Sequence, residues 1–288
     1  MSMRLALIGH PVKHSLSPPM HRAAFSYFGL QGSYELIDVE PEKLAFSIEK
    51  MQAENFSGFN VTIPHKEAVH ALLSKCTLEA GLVGAVNTVR IDSAGTLHGH
   101  NTDLQGFIKA LELALAGQGK NCLDLSEVLI LGAGGAARAC LAALLILGCK
   151  KLRLAARNTE AAERLAEEIQ SKCSQLKKID CEISVGSFEK LEAAYALAVN
   201  CTPIGLRQLE LPEWGAALFA ALKKDAFFFD TVYTAERQNT VFMKAAAEHK
   251  IASCDGLSML AAQAVFAFEF WSGRSVPQAL MLEALSKP

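Results

Sequence analysis

Val128-Leu129-Ile130-Leu131-Gly132-Ala133-Gly134-Gly135-Ala136-Ala137 is the stretch that decides how this chain is read. An apolar run makes a short buried strand, glycines force a tight turn, and Ala136 starts a run of helix formers. The pattern is G-x-G-x-x-A, an accepted form of the dinucleotide fingerprint. Gly132 permits the turn, Gly134 lets backbone approach a pyrophosphate, and Ala137 permits close packing of helix on strand. The head of the helix offers free N–H groups and a partial positive charge to that anion. Cofactor contacts are therefore expected at Gly132, Ala133, Gly134, Gly135 and Ala136. The competing reading, an ordinary strand-to-helix turn, loses ground because a second strand, Leu152 to Ala156, follows where the motif requires one.

The end of that second strand selects the cofactor. An NAD enzyme places Asp or Glu there to accept from the ribose 2′-hydroxyl. This chain has Ala156-Arg157-Asn158-Thr159 instead. A planar guanidinium, Arg157, beside two hydrogen-bonding side chains, Asn158 and Thr159, suits a 2′-phosphate. NADP(H) is the expected cofactor. The bland alternative is that Arg157 is a solvated surface charge.

Outward from this point, strand-like and helix-like runs alternate. Upstream, Arg4–Ile8, Ser33–Val39 and Gly58–Ile63 read as strands. Helices are expected from Ser17 to Phe28, from Pro41 to Met51 and from Pro64 to Leu73. Ala85–Ile91 and Gly95–His98 form a hairpin around Asp92-Ser93-Ala94-Gly95. Helix Leu104–Ala116 is broken by Gly117-Gln118-Gly119-Lys120-Asn121. Beyond the glycine turn come helix Ala136–Leu147, a charged helix Thr159–Gln175, strands Ala196–Val199 and Phe227–Asp230, and helix Gly256–Trp271. The rhythm implies an α/β fold. Two domains are expected: residues 1–103 with 256–288, carrying a mostly parallel sheet, and a Rossmann-like nucleotide domain over 104–255.

Composition removes other classes. The 288 residues are 51% hydrophobic and 20% charged, a globular balance, and 28 Lys+Arg against 30 Asp+Glu give a net charge of −2. Such a surface has no basic surplus to hold nucleic acid or an anionic membrane. The most apolar stretch, Ala139–Cys149, is shorter than the roughly 20 residues of a membrane span and reads as a buried helix. The N-terminal apolar run meets Gly9-His10-Pro11 in place of a cleavage site and reads as a strand. The eight cysteines show no paired metal-ligand spacing, so a reduced cytoplasmic protein without a metal is expected.

Three polar clusters lie at element ends in the front block. Ser15 and Ser17, two apart, direct their hydroxyls to one side of an extended segment and can hold a small carboxylate; Ser17 also reads as the N-cap before Pro18. Asn60 and Thr62 share a strand face, and Lys66 falls in the first turn of the next helix, against the dipole, where release of its proton is favoured. Thr102 reads as a cap and Asp103 as a first-turn acid, with Asn87 supplying a further amide upstream.

These residues match a family. Ser15-Leu16-Ser17-Pro18, Asn60-Val61-Thr62-Ile63-Pro64-His65-Lys66, Gly84-Ala85-Val86-Asn87-Thr88 and Asn101-Thr102-Asp103 stand in order before the glycine turn. After it come Asn200-Cys201-Thr202-Pro203, Asp230-Thr231-Val232-Tyr233, and Asp255-Gly256-Leu257-Ser258-Met259 with Gln263. Along nearly its whole length the chain resembles shikimate dehydrogenase. The resemblance implies NADPH-dependent, reversible reduction of 3-dehydroshikimate to shikimate in chorismate and aromatic amino-acid biosynthesis. It implies Lys66 and Asp103 as the catalytic pair, and Ser15 and Ser17 at the substrate carboxylate with Tyr233 assisting. Thr62, Asn87, Asp103 and Gln263 would bind ring hydroxyls; Thr231 and Gly256 would sit at the nicotinamide. Two departures stand out: Ala156 where the family usually has Asn, and no proline near Ala235. A dual quinate/shikimate dehydrogenase, with NAD use, is the alternative within the class. A non-catalytic metabolite sensor is the alternative outside it, though such a protein would be free to lose Lys66 or Asp103. The expected partner is a small molecule, with no nucleic acid or membrane, and the chain is expected to be a monomer or homodimer.

Overall fold

The computed structural model describes residues 3–117, 124–176, 179–191, 194–206, 210–234 and 238–286. Most of the expected glycine-rich break after residue 117, and the loop around Ala235, lie outside them. The chain divides into two compact units, Met1–Gly106 with Leu260–Pro288, and Phe107–Met259.

The first unit opens with β1 (Met3–Gly9), α1 (Ser17–Tyr27) and β2 (Gly32–Asp38). A 3-10 turn at Pro41–Lys43 leads into α2 (Leu44–Ala53), so proline starts a tight turn there and not the α-helix itself. Next come β3 (Gly58–Val61), α3 (Lys66–Leu72), β4 (Lys75–Cys76), α4 (Leu78–Val83), β5 (Thr88–Ile91) and β6 (Leu97–His100). The sheet order is β2-β1-β3-β5-β6-β4. β1 runs parallel to β2 and β3, and β4 parallel to β6, whereas β5 is antiparallel to both of its neighbours. The β5–β6 hairpin turns where the sequence indicates. Asp92 Oδ1 accepts from the Ala94 and Thr96 amides, and Gly95 takes φ +77°.

β1 is apolar at every central position because both of its faces are covered. Leu5 and Leu7 pack into one cluster, while Ala6 and Ile8 pack into another on the opposite side.

The second unit contains most of α5 (Thr102–Ala116), then β7 (Glu127–Leu131), α6 (Gly135–Leu147), β8 (Lys151–Ala155), α7 (Thr159–Ser174) and β9 (Glu182–Gly186). β10 (Tyr195–Asn200), α8 (Gly215–Ala220), β11 (Leu222–Asp230), α9 (Val241–Glu248) and β12 (Ala252–Cys254) complete it. Its sheet is parallel throughout, in the order β12-β11-β10-β7-β8-β9. The chain winds outward from β7 to β9, then returns to the other side at β10, so the strand order reverses beside β7. In open α/β sheets that reversal marks the ligand crevice. α6 is buried from Ala139 to Leu145, the buried helix that the apolar stretch implies.

α10 (Leu257–Ser272) and α11 (Gln278–Ser286) return the chain to the first unit. Ala261, Ala264, Val265, Phe268 and Trp271 of α10 join the cluster around Leu5, Met20 and Phe25, and Trp271 Nε1 donates to Val89 O at 2.8 Å. The division between units falls inside α5 and α10, a few residues past the expected boundaries after residues 103 and 255. The reason in α5 is packing: its first turn is bonded to Asn87, whereas Phe107 meets Phe229 edge-on at 5.0 Å.

Two expected caps are corrected. α1 begins at Ser17 itself, which makes no side-chain cap; instead Ser15 Oγ accepts from the Ser17 amide at 3.2 Å. α5 is capped by Asn101, whose Oδ1 accepts from the Asp103 and Leu104 amides, leaving Thr102 to the Asn87 side chain. Likewise α3 starts at Lys66, after Pro64.

His21 sits 1% exposed in the first unit, stacked on Tyr34 at 4.3 Å. Burial pushes its imidazole down to about 3, with Asn60 opposing. The native state therefore stays unprotonated where the unfolded chain takes up a proton. Stability is present above the ordinary histidine range near pH 6.5 and is lost as pH falls below it, by about 1.4 kcal/mol per pH unit. Urea unfolding followed by tryptophan fluorescence, run on parent and His21→Gln between pH 6 and pH 4, should show that slope in the difference between the two unfolding free energies. An unchanged slope in the variant would remove His21 as its source.

Candidate active site

Four stretches meet the first sheet at one end. β1 and β3 are parallel and β5 is antiparallel to β3 and β6. The exits of β1, β3 and β6 and the entry of β5 therefore share an edge. Ser15 and Ser17 follow β1, Thr62 and Lys66 follow β3, Asn87 precedes β5, and Asp103 follows β6. Gly9 lets the ends of β1 and β3 approach: a Cβ there would lie 2.3 Å from Thr62 Cγ2.

At this edge Lys66 Nζ donates to Asp103 Oδ2 at 2.7 Å, and Asn87 Nδ2 donates to Asp103 Oδ1 at 2.9 Å. The Asp103 side chain is 2% exposed and that of Lys66 18% exposed. Both carboxylate oxygens thus carry a donor inside the protein, while the ammonium keeps a path to the outside. Charge-assisted bonds on both oxygens offset the desolvation of the pair. Backbone holds the cluster as well, through Val86 N to Lys66 O at 2.9 Å and Asn101 Nδ2 to Ala85 O at 2.9 Å.

Ser15 and Ser17 come together, with Oγ to Oγ at 3.2 Å, and both are half-buried. Thr62 is half-buried at the same edge, and Gln263 is half-buried on α10 of the same unit. Tyr233 belongs to the second unit.

In the second unit the glycine turn takes the conformation its sequence requires. Gly132 has φ +104°, and a Cβ there would sit 3.0 Å from Cys201 O and 3.2 Å from Thr202 Cγ2. Gly134 is the residue before α6, and a Cβ on it would meet nothing within 4 Å. The head of α6 is therefore open in front of Gly134, with first-turn amides left over for an anion. Arg157 is exposed directly after β8. Asn158 caps α7, its Oδ1 accepting from Ala161 N at 3.0 Å, so only its NH₂ remains for a ligand, and Thr159 opens that helix. An open glycine turn and an exposed guanidinium at a second helix N-terminus fit a dinucleotide with a 2′-phosphate.

Thr231 and Gly256 also meet. A Cβ on Gly256 would lie 2.2 Å from Thr231 O, and the Gly256 amide donates to Val232 O at 3.1 Å.

Sequence reasoning gave Asn200 and Asp230 no role beyond their motifs. Asp230, with no exposed surface, accepts from Asn200 Nδ2 at 2.8 Å, Val232 N at 3.0 Å and Thr240 Oγ1 at 2.6 Å. Asn200 Oδ1 in turn accepts from the amide and hydroxyl of Thr202. Burial pushes the Asp230 carboxyl up to about 6, against those hydrogen bonds. The pair fixes the loop that packs on Gly132 and the segment that meets Gly256. The available signal was a charged residue ending the apolar run Phe227-Phe228-Phe229.

A doubly wound sheet with an anion-ready glycine turn in one unit and a buried lysine–aspartate pair in the other together define a dinucleotide-dependent oxidoreductase. A protein named shikimate dehydrogenase (NADP(+)) from Methanothermobacter thermautotrophicus is 37% identical over 286 residues, covering 98% of this chain and 95% of its own. The chain belongs to the shikimate dehydrogenase family. Family models described as shikimate dehydrogenase substrate binding domain, shikimate/quinate 5-dehydrogenase and shikimate 5′-dehydrogenase C-terminal domain match residues 7–89, 114–185 and 256–285. A crystal structure of a shikimate dehydrogenase with NADP+ superposes with a TM-score of 0.86 at 35% identity, covering 99% of this chain and 95% of that one. Quinate dehydrogenase from Corynebacterium glutamicum with NAD gives 0.86 at 31%, covering 99% of each. No helix among the described residues is long and apolar enough to cross a membrane.

Gly256→Ala should weaken NADPH binding by about tenfold or more, since the new methyl must displace Thr231 by over an ångström. Fluorescence titration with NADPH measures this, and an unchanged Kd would exclude Gly256 from the cofactor site.

Proposed function

We propose that Lys66 and Asp103 carry the proton side of a reversible, NADPH-dependent reduction of 3-dehydroshikimate to shikimate, within chorismate and aromatic amino-acid biosynthesis. The observation that supports this is the contact of Lys66 Nζ with Asp103 Oδ2 at 2.7 Å, with Asn87 on the other oxygen. The reduced nicotinamide, when bound, supplies the hydride. Reduction of a ketone builds negative charge on its oxygen. Lys66, the more exposed member of the pair, donates a proton or hydrogen bond to that oxygen. Asp103 orients the ammonium and accepts from a neighbouring ring hydroxyl. Thr62, Asn87 and Gln263 supply further partners for the ring. Ser15 and Ser17 hold the substrate carboxylate with adjacent hydroxyls. The dinucleotide lies on Gly132, Ala133, Gly134, Gly135 and Ala136, with Arg157, Asn158 and Thr159 at the 2′-phosphate and Thr231 and Gly256 near the nicotinamide. A cytoplasmic setting goes with this reading. A monomer or homodimer is the expected state.

The likeness in fold to the quinate dehydrogenase supports a second reading, a dual shikimate/quinate enzyme. Arg157 weighs against NAD as its cofactor.

Lys66→Ala should lose about 10²–10⁴-fold in kcat while still binding NADPH. Near-normal turnover in an absorbance assay would remove Lys66 from the mechanism. Arg157→Ser should raise KM for NADPH by about 10–100-fold, the worth of a charged hydrogen bond, and leave KM for NADH nearly unchanged. Steady-state rates with shikimate and quinate, each with NADP and NAD, separate the two readings. Comparable kcat/KM for quinate would favour the dual enzyme.

A further inference from the structure

The two oxygens of Asp103 are served by different kinds of donor, and the Asn87 amide is the one whose direction has to be set. An amide side chain can present either NH₂ or C=O to a neighbour, and C=O against Asp103 would repel the carboxylate. Two backbone groups remove that choice. The Thr102 amide, which can only donate, points at Asn87 Oδ1 at 2.8 Å, so Asn87 Nδ2 faces Asp103. The Asn87 carbonyl, which can only accept, faces Asn60 Nδ2 at 3.1 Å, so Asn60 Oδ1 faces the other way, toward Tyr34.

Between these fixed points the hydroxyls have one orientation each. Tyr34 donates to Asn60 Oδ1 at 2.7 Å. Asn60 Nδ2 donates to Thr88 Oγ1 at 3.0 Å, and Thr88 donates to Asn87 Oδ1 at 3.0 Å. Asn87 Nδ2 then donates to Asp103 Oδ1 at 2.9 Å, and Lys66 meets the other oxygen. Every donor along this line points toward Asp103. Tyr34 is 6% exposed, Thr88 has no exposed surface and Asn87 is 5% exposed, so bulk water does not compete at these three positions. The register of β3 and β5 places Asn60 opposite Thr88. Hydrogen bonds aligned in one direction polarise one another in a low-dielectric interior.

We propose that Thr88, with Tyr34 and Asn60 behind it, is a positioning residue for the reaction: its hydroxyl joins the Thr102 amide in locking the Asn87 amide with NH₂ toward Asp103 and so holds that carboxylate in line with Lys66. The hydrogen bonds given above for these three reach Asp103 only through Asn87. The inference rests on the assignment of Lys66 and Asp103 to the proton transfer.

The test compares Thr88→Val, which keeps the shape and removes the hydroxyl, with Thr88→Ser, which keeps the hydroxyl and removes a methyl. Thr88→Val should lower kcat about tenfold or more, with KM for NADPH unchanged, and Thr88→Ser should restore kcat to within about threefold of the parent. A residue that only fills space would give the reverse order. Tyr34→Phe removes the first donor, keeps the ring, and serves where Thr88→Val fails to fold; it should lower kcat in the same sense. The Tyr34→Phe/Thr88→Val double variant should lose less than the product of the two single losses, because both act through one amide. Wild-type kcat in both single variants, Thr88→Ser as impaired as Thr88→Val, or full multiplicativity in the double variant would each overturn the proposal. Loss of turnover in Lys66→Ala together with such a result would fault the positioning line alone, whereas retained turnover in Lys66→Ala would fault the assignment beneath it.

Discussion

Asp103 is an acidic side chain with almost none of its surface in contact with solvent. A buried carboxylate is costly unless each oxygen finds a donor, and here one oxygen meets an ammonium and the other an amide. That requirement explains much of the first unit. It accounts for Asn101 capping α5, for Thr102 pairing with Asn87 in place of capping, and for Lys66 opening α3. An ammonium held by a buried partner yet left partly exposed is suited to hand a proton to an incoming oxygen.

The second unit works by a comparable economy of polar groups. Gly132 admits the backbone of Cys201 and the methyl of Thr202. Thr202 is held in turn by Asn200, and Asn200 by Asp230. The turn that offers amides to an anion is therefore braced from the strand ends of β10 and β11.

The glycine turn, its flanking strand and helix, and the β5–β6 hairpin were all legible, since each rests on local chemistry: φ > 0 at glycine, apolar runs, and turn-forming Asp and Gly. The short elements β4, α4, β9, α8, α9, β12 and α11 were not singled out. They have weak periodicity, and strands as brief as Lys75–Cys76 exist only because β6 lies beside them. Ser17 and Thr102 were misjudged as caps for a related reason. A hydroxyl before a helix is a good cap in isolation, but Ser15 and Asn101 stood closer to the free amides, and Asn87 took Thr102 for itself.

By itself, the order of residues determined where the glycine turn and its helix fall and which side chains carry charge and hydrogen-bonding capacity, because these and backbone freedom belong to the residue. Only the tertiary structure decided that Lys66, Asn87 and Asp103, separated along the chain, share one sheet edge, and which way the amide between them points. Those facts depend on antiparallel placement of β5 and on bonds between distant segments, which no local spacing encodes.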